Sequence, residues 1–345
     1  MTIPQQIKML CSDISHMPLH LVWMHSGVAE QHGFELVVHS ARAPIPGREP
    51  IQMRDRARLC LEGEYQFLSG LHHEPFSYRA QGDRRFVYLA QAQNEWDDKV
   101  IVAENIESAA DLQGRRVMVS VPVPCVYGNI RRMLATAGAD VEKIRFDFWR
   151  NYDVRTGRDV SDELIEGATA GARGGRLSGA VVDVPFDNYA RRHGLKVLDL
   201  PSMPVIHNAT ICSNMEWVRE NEDAVDAFLR SMIDAIHYFK TNPERVCEIL
   251  AEHHGPVIGI DDEDDIRHLQ AYWARVLNPK PYPHPLALWN VYALDVHDDP
   301  ETNFVGAMDL WDTHYLRAID DTGYIDDLYG GIEKARSPQV DIMIG

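Results

Sequence analysis

Short apolar runs alternate with amphipathic stretches along the first two thirds of the chain. Residues 7–11 have the length and composition of a buried strand, and a loop over 12–17 carries the chain to Pro18. Proline suits the first turn of a helix, because no intrahelical partner exists for the N–H it lacks and its φ is already helical. That helix is expected to reach about Gln31 and to stop at Gly33. A second strand (34–39), a Pro/Gly-rich loop (40–50), helical spacing over 51–61 and a third strand (65–68) follow. Strand and helix in strict alternation imply a parallel sheet with helices on its faces.

A second unit of the same kind follows. Strands are expected at 86–90 and 100–103, around a polar stretch, 91–98. Ser108 and Asp111 have the spacing of a capping box. A strand at 116–120 leads to a helix over 125–137 that stops at Gly138. Strands at 144–148 and 180–182 enclose a helical segment of about 159–170 and a glycine-rich loop, 171–179. Strands at 197–200 and 206–212 are expected to close this unit. From Met215 onward the pattern is mostly helical. Ala224, Phe228, Met232, Ala235 and Phe239 form one apolar stripe. Asn242-Pro243 then caps and opens a helix that ends near His254-Gly255.

Composition narrows the class. The chain has 345 residues, enough for two ordinary domains, and 45% hydrophobic content is that of a globular protein with a real core. A net charge of -18 favours solubility and argues against nucleic-acid or anionic-membrane partners. Part of the acid lies in Asp261-Asp262-Glu263-Asp264-Asp265, expected to be a solvated helix start. No stretch approaches the roughly 20 apolar residues that span a bilayer, so direct membrane insertion is not expected. The first residues lack the basic and apolar regions of a secretory signal. The expected localisation is cytoplasmic, or periplasmic or cell-surface if a signal has been removed. Cysteines at 11, 60, 125, 212 and 247 show no CxxC pair and no disulfide ladder, which fits a reducing compartment.

Three segments, in order and spacing, carry a family resemblance. Lys99 to Val119, with Asp111-Leu112-Gln113-Gly114, reads as a strand, a capped turn and the next strand. Gly179-Ala-Val-Val-Asp-Val-Pro-Phe186 is a strand closed by proline, and Glu216 to Ala251 is a long helix pair. Together they resemble the substrate-binding proteins of the taurine, alkanesulfonate and nitrate ABC transporters, in the superfamily that also holds the thiamine-pyrimidine synthases. The resemblance covers about residues 7–254. It implies an α/β, two-lobed type II periplasmic-binding-protein-like fold with parallel-dominated sheets and an interlobe cleft. Lobe one would be 1–94 plus 207–345, and lobe two 95–206. The ligand would sit at the carboxyl ends of the strands, where helix N-termini supply backbone donors. The closely spaced cysteines that mark the synthases are absent.

Strand ends then nominate the site. In lobe one these are residues 12–17, 40–42 and 69–74; in lobe two, 121–127 and 183–187; and 94–96 at the crossover. His16, Arg42, Ser69, Asn94, Trp96, Tyr127, Asp183 and Phe186 are the ligand-binding candidates, the aromatic ones as walls for a flat ligand. Ser69-Gly70-Leu71-His72-His73-Glu74-Pro75 places two imidazoles and a carboxylate in one loop. Three readings stay open: hydrogen bonds to a ligand, a divalent metal held by His72 and Glu74 with help from His16 or Glu95, or a solvated helix start. Val121-Pro-Val-Pro-Cys125 departs from the family, which has Gly and Ser there. Proline has no N–H to give an anion. Cys125 at a helix start is a candidate nucleophile or acid, or a small buried apolar residue. Arg42, Arg48, Arg54, Arg56 and Arg58 crowd one loop and helix, where one of them would grip a ligand carboxylate.

Two functions follow. One is a solute-binding protein for a small organic anion, a carboxylate of aliphatic or aromatic kind, with an ABC permease as partner if the chain is exported. The other is a cytoplasmic enzyme on the same scaffold, a decarboxylase or other lyase using His72, His73, Glu74 and Cys125. Fold alone does not choose between them.

Overall fold

The structure is a computed structural model, and it describes residues 3–43, 45, 51–96, 98–103, 105–149, 157–165, 177–298 and 300–336. The chain divides into two compact units. The first holds Met1–Glu95, Pro204–Val257 and Gln270–Gly345; the second holds Trp96–Met203 and Ile258–Leu269.

Twelve strands are described, in chain order β1 (Gln6–Cys11), β2 (Glu35–Ser40), β3 (Phe67–Ser69), β4 (Phe86–Gln91), β5 (Glu95–Trp96), β6 (Lys99–Val102), β7 (Arg116–Val119), β8 (Arg145–Phe148), β9 (Gly179–Val182), β10 (Lys196–Val197), β11 (Met203–Pro204) and β12 (Thr210–Asn214). The first unit's sheet has the order β2-β1-β3-β12-β4 and the second unit's β10-β6-β9-β7-β8, while β5 and β11 form a separate pair. Both large sheets are mixed. β1 runs parallel to β2 and β3, but β12 is antiparallel to β3 and β4. In the second sheet β7 is parallel to β8 and β9, with β6 antiparallel to β9 and β10 antiparallel to β6.

β12 corrects the expectation that this strand closes the second unit. It starts at Thr210, not 206, and fills the gap between β3 and β4 in the first unit. All five of its residues are buried, as in a central strand, although Thr210, Ser213 and Asn214 are polar, and the local sequence does not say which sheet it enters.

The first helix, α1 (Met17–His25), is buried from Met17 to Trp23 and stops short of Gln31. Gly27, at φ 78, breaks it before α2 (Val28–Gln31), because a left-handed residue cannot continue a right-handed helix. α1 packs on the helix Glu222–Thr241, where the expected stripe Ala224, Phe228, Met232, Ala235 and Phe239 is fully buried. Phe228 stacks on Phe67 with centroids 3.7 Å apart and meets Trp23 at 4.7 Å. Trp23 Nε1 donates to Ser231 Oγ at 2.6 Å. Each such aromatic contributes about 1.5–3 kcal/mol by burial.

Other elements are shorter than their sequence patterns. Helical spacing over 51–61 becomes a 3-10 turn, Met53–Asp55, followed by α3 (Arg56–Leu61). α4 (Glu74–Ala80) begins at the Glu74-Pro75 pair. The helix expected from Cys125 opens as a π-helical turn, Pro124–Gly128, before Asn129–Thr136. The Ser108–Asp111 capping box forms as expected. Most of the 40–50 loop, Arg48 included, and 166–176 lie outside the described residues.

In the second unit the acidic run is more than a solvated helix start. It does open the helix Glu263–Val276, where Asp262 Oδ1 accepts from the N–H groups of Asp264 and Asp265. Asp265, however, is fully buried and accepts from Asn188 at 2.8 Å and Arg192 at 2.5 Å. His268 Nε2 lies 3.0 Å from Asp187 Oδ1. These contacts fasten Ile258–Leu269 to the helix Phe186–Arg192, which is why this stretch belongs to the second unit although lobe one was expected to run unbroken from 207 to 345. Among the described residues no helix is long and apolar enough to cross a membrane.

Candidate functional site

The order β2-β1-β3 fixes where a ligand should look in the first unit. The chain leaves β1 towards β2 on one side, and β3 lies on the other. A crevice forms outside the carboxyl ends of strands where the order reverses in this way. The loops leaving β1 and β3 both carry histidine. His16 closes a 3-10 turn, Ile14–His16, that Asp13 caps by accepting from Ser15 N at 3.2 Å. The two loops are joined by Ser12 N–H donating to Ser69 O at 2.9 Å, and Gly70 N–H donates to Thr210 O at 3.1 Å.

Gly70 is required twice over. Its φ is +79, and a Cβ there would lie 2.4 Å from His16 Nδ1. The absent side chain is the space His16 occupies. His16 is buried, and its Nδ1 has no hydrogen-bond partner.

His72 and His207 complete a triangle of imidazoles. Ring centroids are 6.2 Å apart for His16 and His72, 5.5 Å for His16 and His207, and 6.4 Å for His72 and His207. His207 comes from the turn before β12, and the antiparallel entry of that strand is what brings it to this end of the sheet. Its carbonyl accepts from Thr210 Oγ1 at 2.7 Å, His72 Nε2 at 3.1 Å and Gln91 Nε2 at 3.2 Å. A carbonyl only accepts, so Nε2 of His72 carries the proton and Nδ1 is left for a second one. Two residues on, Ala209 holds φ 56, a left-handed conformation that costs a non-glycine residue about 1 kcal/mol or more. The strain marks a corner whose surroundings dictate its shape.

The electrostatics are one-sided. Burial, then the imidazoles of His207, His72 and His20 and the Arg56 charge, hold His16 well below the ordinary histidine range. His72 is held down by burial and then by His73 and His207. Behind them His20, on α1, bonds Ser69 Oγ at 2.7 Å through Nε2, and burial pushes it down to about 3. At neutral pH these three rings are uncharged. The nearby carboxylates are already engaged, Glu74 with Arg56 at 2.5 Å and Asp13 with Arg42 at 2.9 Å. The corner is therefore lined by neutral, polarisable donors and acceptors.

Of the residues nominated by sequence, His16, Ser69 and His72 meet here, with His73 beside them, its ring 6.2 Å from that of His72. Arg42 and Glu74 are spent on the two ion pairs. Asn94 is buried with both ends of its amide engaged, donating to Tyr282 O at 2.8 Å and accepting from His284 N at 2.9 Å. Trp96, Tyr127, Cys125, Asp183 and Phe186 belong to the second unit. Trp96 and Phe186 are buried packing residues there. Tyr127 stands edge-on to Phe146 and Phe148 and accepts from Arg131 at 3.1 Å. Asp183 follows β9, its carbonyl accepting from Phe186 N at 2.9 Å. Cys125 is half-buried in the π-helical turn, its carbonyl accepting from Asn129 at 2.8 Å.

Sequence reasoning missed His207, His20 and Gln91. His207 stands 135 residues from His72, and only the placement of β12 joins them. Among the described residues no group of three or more His, Cys, Asp or Glu side chains is arranged to hold a metal ion, and Glu74 turns to Arg56. Burial raises the thiols of Cys11 and Cys60 to about 12, which removes them as nucleophiles near neutral pH.

The mixed α/β sheets and the discontinuous first unit define a periplasmic-binding-protein-like fold. A protein from Bordetella bronchiseptica RB50 superposes with a TM-score of 0.65 at 13% identity, over 93% of this chain and 98% of its own. The periplasmic aliphatic sulphonate binding protein SsuA of Escherichia coli superposes with a TM-score of 0.58 at 14% identity, over 86% and 88%. The periplasmic nitrate-binding protein NrtA of Synechocystis PCC 6803 does so with a TM-score of 0.58 at 12% identity, over 93% and 90%. At these identities the likeness is one of fold. Residues 83–246 match the model of the family described as NMT1/THI5 like. Among curated proteins none matches the chain significantly.

Proposed function

We propose that this chain is a solute-binding protein whose ligand is a small organic anion with a carboxylate head group, seated at the histidine corner of the first unit. The observation that carries the reading is the His16–His72–His207 triangle at the carboxyl ends of β1 and β3, with the Nδ1 of His16 buried and unpartnered. Imidazole N–H groups bond a carboxylate well, and two fold neighbours are anion binders by name, one for sulphonate and one for nitrate. The prolines at 122 and 124 withdraw backbone donors from the second unit, so side chains of the first unit take the leading role. If the chain is exported, an ABC permease receives the ligand.

The test is a thermal-shift and native mass spectrometry screen of aliphatic and aromatic carboxylates, with sulfonates beside them. A carboxylate should stabilise the protein and be recovered unchanged. The double substitution His16→Gln, His72→Gln should weaken its binding about tenfold or more, the worth of one charge-assisted hydrogen bond. Binding that survives the double substitution would overturn the site. A ligand recovered altered would replace the carrier reading with the enzyme reading.

A further inference from the structure

We infer that the corner takes up a proton with its ligand, one imidazole of the His16–His72–His207 triangle becoming imidazolium as a compact oxyanion is bound. The inference rests on the anion-binding reading and adds its chemistry. It starts from a mismatch between charge and burial. An anion stripped of water against uncharged groups is bound at a heavy desolvation cost, which a full opposite charge offsets.

The fixed charges at the corner do not supply that offset. From the loop after β1 comes Asp13, paired with Arg42; from α3 and α4 come Arg56 and Glu74, paired with each other. From α1 comes His20, bonded to Ser69; from the loop after β3 come His72 and His73; from the turn before β12 comes His207. The charged and titratable groups acting on His16, namely His207, His72, His20 and Arg56, all oppose its protonation. An incoming anion reverses that balance, because an opposite charge within about 4–6 Å favours the charged form.

The geometry also provides the place for the proton. His16 Nδ1 is buried without a partner. His72 already holds one proton on Nε2 against the His207 carbonyl, so its Nδ1 takes the second without disturbing that bond. The balance is simple: one proton leaves bulk water or buffer, an N–H bond forms at the ring, and no covalent bond to the ligand is made. Three rings at 5.5–6.4 Å repel one another when charged, so the stoichiometry is one proton per ligand rather than three.

The experiment uses the full chain labelled with ¹⁵N-histidine, with benzoate and ethanesulfonate as probes. Calorimetry in two cationic buffers of different protonation enthalpy gives protons taken up, and imidazole ¹⁵N shifts identify the ring. The expected result is uptake approaching one proton near pH 7.5, and affinity rising up to about tenfold per unit fall in pH. In His16→Gln and, separately, in His72→Gln, the uptake should fall in the variant that lacks the protonated ring. Binding that moves the histidine resonances without proton uptake, or with a pH-independent affinity, would overturn this inference and leave the anion site standing. Histidine resonances unmoved by either probe would overturn both.

Discussion

Gly70 and His16 share one small volume, and that sharing is the most exposed feature of the site. Gly70→Ala puts a methyl group into His16 and an L side chain into a left-handed backbone. The expected cost is about 2–3 kcal/mol, from strain and overpacking together. Urea unfolding measures it, and a loss under about 0.5 kcal/mol would show that His16 swings clear at no cost. The buried histidines make a second prediction. Folded His16, His20 and His72 resist a proton that the unfolded chain accepts near pH 6.5. The unfolded state therefore binds more protons below that pH, and stability declines as pH falls from 6.5 towards 3, the value for His20. Each such ring contributes about 1.4 kcal/mol per pH unit within its window. Unfolding free energies at pH 7.5, 6 and 5 should trace this slope, and His20→Gln, which keeps a donor for Ser69, should flatten it by about one proton. An unchanged slope in the variant would refute the assignment. At this scale the sequence displayed His72 and His73 as a pair at a strand end. It hid His207, a lone histidine before the mixed stretch that becomes β12, because nothing local distinguishes it from a surface residue.

At the scale of elements, strands were legible from their apolar runs and helix stops from glycine. What escaped was partnership. β12 reads as a strand in isolation, yet its antiparallel insertion between β3 and β4 is a long-range choice that no local pattern encodes. The acidic run at 261–265 reads as a solvated cap because Asp and Glu are rarely buried, and only the approach of Arg192 and Asn188 makes Asp265 an exception. This contact predicts its own test. Asp265→Ala leaves Arg192 with Asp262 alone and should cost about 1–2 kcal/mol, discounted from a fully buried pair because Arg192 is partly exposed. Hydrogen exchange should accelerate in Ile258–Leu269 and in the helix Phe186–Arg192, with the first unit's sheet unaffected. Uniform acceleration through both units would mean that the contact stabilises more than this joint.

For the whole molecule, order and spacing of three motifs were enough to reach the fold, because each marks an element and its neighbour: strand, capped turn and strand over 99–119, a strand closed by proline over 179–186, and the helix pair within 216–251. They were not enough to reach the ligand. The proposed site rests on His16, His72 and His207, and the prolines at 122 and 124 depart from the resemblance, which has Gly and Ser there. The most direct measurement is a crystal structure of the protein with the best carboxylate from the screen. The account predicts the carboxylate within hydrogen-bond reach of His16 and His72, with Gly70 and the His207 turn alongside. A carboxylate bound elsewhere, with the three imidazoles still in contact only with protein, would contradict it.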